Sequence, residues 1–140
     1  MKWHETPLTV RFNEVDSYQV AWHGHYVAWM EVGRNDLAGR FKLNAEQIGG
    51  AGFRAPVVNL ELKFRRPALF NERLTIGTAV RRTETASLEF LSRITGPDDE
   101  IIATGRTVHV LTDDRGILLY QLPPVIAERL EQMLAALEGE

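Results

Sequence analysis

The sequence predicts an α+β domain: about five antiparallel strands curled around one long central helix, with a further helix at the C-terminus. Three observations point to it. One run, Tyr26-Val27-Ala28-Trp29-Met30 and on through Leu37 to about Gly39, is apolar nearly all round a helical wheel, as a buried helix is. Beyond Pro56 the apolar period changes from helical to two, the period of strands. The breaks between those alternating runs are too short for crossover helices and suit hairpins.

Element by element, Leu8, Val10 and Phe12 alternate with Thr9 and Arg11, which predicts a half-buried first strand over residues 8–12. A polar segment from Asn13 to Gln19 leads to the helix. Residues 41–56 carry Gly49, Gly50, Gly52 and Pro56, so they read as loop with a short helix over 45–48. Then Val58, Leu60, Leu62 and Phe64 share one parity, as do Leu74, Ile76 and Val80, and Leu88, Phe90 and Ile94. Residues 101–112 are rich in β-branched side chains. With polar breaks at 67–72, 82–86 and 96–100, these four runs predict an antiparallel meander. Asp113-Asp114-Arg115-Gly116 is a turn into a short strand at 117–120, and Pro123-Pro124 opens the C-terminal helix. Ile126, Leu130, Met133, Leu134 and Leu137 form its apolar stripe. A lone curled sheet has exposed edges, so self-association into a homodimer or homotetramer is expected.

The 140 residues fit a single domain spanning 1–140, 44% hydrophobic and free of cysteine. There is therefore no disulfide framework, thiolate nucleophile or cysteine-ligated metal. The absence is compatible with the reducing cytosol, and a cytoplasmic location is the expectation. A net charge of −3 argues against a nucleic-acid partner. The N-terminus MKWHETPLTV has no apolar core of a signal peptide. No apolar run approaches the roughly 20 residues that span a bilayer.

The chemistry concentrates in Arg11 to Arg34, RFNEVDSYQVAWHGHYVAWMEVGR. Asp16 lies in the loop after the first strand, and His23 and His25 lie just before the helix. A carboxylate and two imidazoles thus arrive where free backbone N–H groups and the positive end of the helix dipole meet. Such a place can stabilise a carbonyl oxygen as it becomes negative. An Asp in a strand-to-helix loop is more often a turn residue, and either His alone more often caps or packs. His23 and His25 at i, i+2, without a third ligand, make a weak metal site; no metal is expected.

These residues resemble the signature of the 4-hydroxybenzoyl-CoA thioesterase class of hot-dog fold acyl-CoA thioesterases, including those associated with the Tol-Pal system. That class carries an Asp after the first strand, then an aromatic-His pair, a small residue, another position and a Tyr that leads into the helix. Here those are Asp16, Trp22-His23, Gly24, His25 and Tyr26. KFRRPALFNERL, residues 63–74, resembles a second pattern of the class. Where the class has small residues after the Asp, this chain has Ser17, Tyr18 and Gln19, which would narrow or reshape the mouth.

The resemblance implies hydrolysis of an acyl-coenzyme A thioester without a cofactor. Asp16 would attack the carbonyl or activate a water, and the His23 side chain would orient water or substrate. The carbonyl oxygen would face the helix N-terminus and meet the backbone N–H of His23 or of a neighbour, Gly24 among them. Tyr26 would shape the pocket, and Asn59 would line it from a partner subunit. Arg65, Arg66, Arg81 and Arg82 are the candidates for the coenzyme phosphates. Two other readings compete. One is a non-catalytic acyl-CoA-binding or scaffold protein on the same fold. The other is a hot-dog dehydratase or hydratase, for which Glu31 would be the acid in the helix.

Overall fold

In this computed structural model residues 2–138 are described. The chain runs through β1 (His4–Thr9), a 3-10 turn (Phe12–Glu14), α1 (His23–Gly39), α2 (Ala45–Gly50) and β2 (Phe53–Arg54). It continues through β3 (Val57–Phe64), β4 (Arg73–Arg81), β5 (Ser87–Thr95), β6 (Ile101–Val110), β7 (Thr112–Asp113) and α3 (Pro124–Leu137). Five strands form one antiparallel sheet in the order β1-β4-β5-β6-β3, and β2 pairs with β7 apart from it.

The expected strand order needs a correction. Only β4, β5 and β6 form a meander; β3 pairs with β6, Phe64 opposite Ala103, and not with β4. The connection from β3 to β4 therefore crosses the end of the sheet past β6 and β5. Residues 65–72 are too long for a tight hairpin, and Pro67 brings no N–H to a ladder. The amides of Arg65 and Arg66 both turn onto the Ile102 carbonyl, at 2.7 and 3.3 Å, which ends β3 and starts the crossing.

The first strand also lies earlier than the alternation of 8–12 suggests. β1 pairs His4 to Thr9 against Thr78 to Arg73 of β4. Its polar residues and Pro7 conceal it, yet all are compatible with an edge strand. Beyond Val10 the chain has already turned, with the Glu14 amide on the Arg11 carbonyl at 3.0 Å. Phe12 is consequently 76% exposed instead of facing the core.

The 17-residue α1 packs against β4, β1 and β5 and buries Tyr26, Trp29, Met30, Gly33 and Leu37. Gly33 permits the approach: a methyl group there would run into Ile76 and Thr78 of β4. Burial is one-sided, however. Ala28, Glu31 and Val32 face outward, so the expectation of a helix buried on nearly every side does not hold. Ala28 and Val32 made the wheel look uniform without being core.

Of the remaining elements, α2 runs two residues past the expected helix and is capped reciprocally by Asn44 and Gln47, at 2.8 and 3.0 Å. Residues 117–120 form no strand, only a bridge from Leu118 to Thr112. The Asp113 carboxylate there accepts the amides of Arg115 and Ile117, and holds the chain in a turn. Pro124 opens α3 as expected, with Ile126, Leu130, Met133 and Leu134 buried. The core falls into two clusters. Tyr26, Trp29, Met30, Leu74, Ile76 and Ile102 fill the half under the N-terminus of α1. Leu37, Leu88, Phe90, Leu111 and α3 fill the other.

Candidate active site

Between β1 and α1 the chain makes a small hairpin. Val15 bridges Ala21, the Asp16 amide donates to the Val20 carbonyl at 3.0 Å, and Gln19 closes the turn with φ of 65°. That left-handed conformation costs a non-glycine residue about 1–2 kcal/mol. The Asp16 carboxylate accepts the Tyr18 amide at 2.8 Å and is otherwise exposed. Tyr18 is 83% exposed and stands out in solvent.

Glu14 is what anchors this hairpin. Only 3% exposed, its carboxylate accepts the Trp29 indole Nε1 and the Arg11 amide, each at 2.8 Å, and the Arg11 guanidinium at 3.1 Å. Burial alone would raise its pKa; the bonds from Arg11 and Trp29 outweigh that and bring it below its ordinary value. Its carbonyl takes the Trp22 amide at 3.1 Å. Strand parity reads Glu14 as a continuation of the apolar face, and so misses it. The signal that could have found it is Glu three residues after Arg11, a spacing that lets the carboxylate cap its own turn.

α1 begins at His23, not after His25, so both imidazoles sit in its first turn. The His25 amide donates back to the Trp22 carbonyl at 3.0 Å. Among the described residues the amides of His23 and Gly24 have no partner, which leaves them to an incoming acceptor. The Trp22 ring lies over Gly24: a methyl group on Gly24 would collide with the indole. The rings of His23 and His25 flank Trp22, with centroids at 5.0 and 5.5 Å.

The crossing segment forms the opposite wall. Ala68 is fully buried; its amide donates to the Tyr26 hydroxyl at 2.8 Å and its carbonyl accepts the Ala21 amide at 2.9 Å. Burial, the largest influence, raises the Tyr26 pKa, so the phenol is neutral. Phe64 meets the Tyr26 ring edge-on at 4.9 Å. Arg66 locks the segment through Glu72, at 2.8 and 2.9 Å, and through Glu100. The Arg66 bonds bring the Glu72 carboxyl below its usual range.

The result is a depression of about 310 Å³ lined by Ala21, His23, Tyr26, Phe64, Arg65 and Arg66 with Pro67. Of the residues expected from sequence, His23, Tyr26, Arg65 and Arg66 are brought together there. Gly24 lies in the adjoining helical turn, and Asp16 stands beside Val20 on the hairpin outside the lining. Arg81 and Arg82 are not brought in, and Asn59, expected to line the site of a partner subunit, lies away from the depression of its own chain. Asn59 shares the strand parity of Glu61, which binds Arg106, on the face turned from α1. Arg81 and Arg82 lie at the far end of β4, roughly 25 Å along the strand from Arg73 at 3.3 Å per residue. There Arg81 binds Glu89 at 3.2 Å, and Arg82 binds Glu131 of α3 at 2.5 Å. Arg66, by contrast with Arg65, already has its carboxylates.

An exposed carboxylate, a neutral phenol and two open amides at a helix start form a set suited to attack on an activated carbonyl. Residues 10–130 match the family model described as the thioesterase-like superfamily. The chain belongs to that superfamily and is a thioester hydrolase. It resembles a hypothetical protein of Thermus thermophilus, at 29% identity over 92% of this chain and 98% of that one, with a TM-score of 0.82. A DHNA-CoA thioesterase of Staphylococcus aureus shares the fold, with a TM-score of 0.85 and 21% identity over 96% and 93% of the two chains. The acyl-CoA thioester hydrolase YbgC of Escherichia coli O6:H1 is 21% identical over 90% of this chain and 94% of its own.

Proposed function

We propose that this protein hydrolyses an acyl-coenzyme A thioester to the free acid and coenzyme A, as a single hot-dog domain of the 4-hydroxybenzoyl-CoA thioesterase class. The observation that carries it is the pair of unpartnered amides, His23 and Gly24, at the start of α1 beside a depression floored by Tyr26. The thioester carbonyl would take those amides, which stabilise the oxygen as it gains charge. Asp16 acts in one of two ways. As nucleophile, it bonds to the carbonyl carbon, the C–S bond breaks to release the thiolate, and water cleaves the resulting anhydride. As base, it takes a proton from water, and the hydroxide adds before the thiolate leaves. The thiolate then takes up a proton from solvent. Arg65, exposed at the rim and without an ion-pair partner among the described residues, receives a coenzyme phosphate.

The reading extends to assembly. β3 is an edge strand whose Val57, Val58, Leu60 and Phe64 are 40–59% exposed, a surface that pairing with a second copy would cover. Light scattering at micromolar protein should give a dimer or tetramer mass; a monomer mass contradicts this part. No helix among the described residues is long and apolar enough to cross a membrane, and the proposed setting is the cytoplasm, where acyl-CoA is met. The test of the activity is turnover of a panel of acyl-CoAs, followed by release of free thiol, with wild type and Asp16→Asn in parallel. A panel with no turnover by wild type rejects the substrate class.

A further inference from the structure

A second cavity lies on the other half of α1. From His23 to Arg34 is about 16 Å along the helix at 1.5 Å per residue. The cavity holds about 290 Å³ between α1, α2, β2 and the inner face of β5. Leu43, Ile48, Phe53, Leu88 and Phe90 supply an apolar wall. Its charged lining is Arg34 and Arg54, with no carboxylate among the lining residues, in a chain whose net charge is −3.

Arg34 is poorly compensated there. Its side chain is 16% exposed, and its ion-pair partner Glu31 stands 3.6 Å away, beyond hydrogen-bond reach. Burial lowers the Arg34 pKa, and Glu31 offsets this only in part. A guanidinium set in an apolar wall, paired at 3.6 Å with a single exposed carboxylate, keeps donors to offer a further anion. The neighbouring His109 does not provide one. Its Nδ1–H donates to the Ala55 carbonyl at 3.0 Å, and its Nε2 accepts the Thr107 hydroxyl at 3.1 Å. With burial lowering its pKa first of all, it is a neutral, fully bonded wall residue.

We propose that this cavity binds a small apolar carboxylate, the acid on Arg34 and the hydrocarbon against Phe53 and Phe90. A volume near the lower end of ligand pockets suits a monocyclic aromatic or short aliphatic acid. Two sources share that chemistry: a free acid, or the terminal carboxylate of a dicarboxylic acyl group. The second rests on the acyl-CoA reading above; the first does not.

Calorimetric titration of the whole protein with benzoate, and with benzamide as the uncharged control, tests it. Benzoate should bind, and Arg34→Met should weaken it by about tenfold or more, as expected for the loss of one charge-assisted bond. Arg54→Ala, at an exposed position, should weaken benzoate by about threefold or more and decides the matter if Arg34→Met does not fold. A second arm compares kcat/KM for dodecanedioyl-CoA and dodecanoyl-CoA, whose chains, unlike a six-carbon one, are long enough to run from the His23 end of α1 to Arg34. If Arg34→Met lowers that ratio about tenfold, the acid belongs to the acyl group. If the ratio is unmoved while benzoate binding depends on Arg34, the ligand is a free acid. The proposal is overturned if benzoate does not bind and the ratio is unmoved, or if both variants bind benzoate as wild type does. Should neither acyl-CoA be turned over, the acyl-group source falls, the acyl-CoA reading is decided separately by the panel above, and the benzoate arm still decides the proposal.

Discussion

The Tyr26 hydroxyl and the Ala68 amide, 42 residues apart in sequence, are joined at 2.8 Å. This bond fastens the segment crossing from β3 to β4 onto the first turns of α1. Because Ala68 is fully buried, its amide has no water to turn to if the phenol is lost. Tyr26→Phe should therefore destabilise by about 1–3 kcal/mol, the cost of stranding a buried donor. It should also lower kcat/KM, since the wall of the depression loosens. Urea titration and steady-state kinetics read the two effects, and an unchanged midpoint contradicts the first.

Asp16→Asn keeps an acceptor for the Tyr18 amide and so keeps the turn. It removes both nucleophile and base. The expected kcat falls by a factor on the order of 10² or more, while the unfolding midpoint moves little. A rate near wild type excludes Asp16 from the chemistry.

Glu14 gives a pH signature. Its folded pKa lies below the ordinary 4.5. The stability it adds is thus present above about 4.5 and lost as pH falls through the lower folded value. Glu14→Gln should cost about 1–3 kcal/mol at pH 7, and the gap to wild type should shrink on acidification below 4.5. Denaturant titrations at pH 7 and pH 3 give the comparison; a gap that does not narrow between them contradicts a charged Glu14.

At Gly24, alanine retains the amide and forces the Trp22 indole off the helix. Gly24→Ala should shift tryptophan emission and lower kcat with the fold intact by circular dichroism. Emission and kcat both like wild type would show that the indole has room elsewhere.

The arginines separate by position. Arg65→Ala should raise KM for acyl-CoA several-fold and spare a pantetheine thioester, which lacks the nucleotide phosphates. Arg81→Ala and Arg82→Ala, at the far end of β4, should leave that selectivity unchanged. The reverse pattern would place the nucleotide on α3 instead.

Much of this was readable in the chain, and the gaps have causes. The helix, the three meander strands and α3 follow from periodicity because each buries a face. β1 hides behind His4, Glu5 and Pro7, since an edge strand needs few apolar residues. The pairing of β3 with β6 is invisible to periodicity, which records faces and not neighbours; Pro67 and the length of 65–72 are the only hints. In the site, Asp16, His23, Gly24 and Tyr26 stand out through their order, whereas Glu14 and Ala68 act through burial and a backbone amide. The Arg81-Arg82 pair stands out by residue type alone, and side-chain type carries no information about which end of the sheet the strand's end will occupy.

The crossing segment also dictates when the site comes into being. Val10 bonds to Glu72, Ala21 to Ala68 and Tyr26 to Ala68, all contacts of long sequence separation, which form slowly because their loops must close first. β3, which starts that segment, gains its neighbour only when residues 103–109 of β6 are available. During synthesis α1 can coil within about a microsecond, before β4 and β5, against which it packs, have emerged. A nascent chain that has emerged as far as residue 100 holds Asp16, His23 and Tyr26 and has no strand for β3 to lie against. A stop before residue 103 therefore deprives β3 of its ladder partner while leaving every residue of the candidate site in the chain.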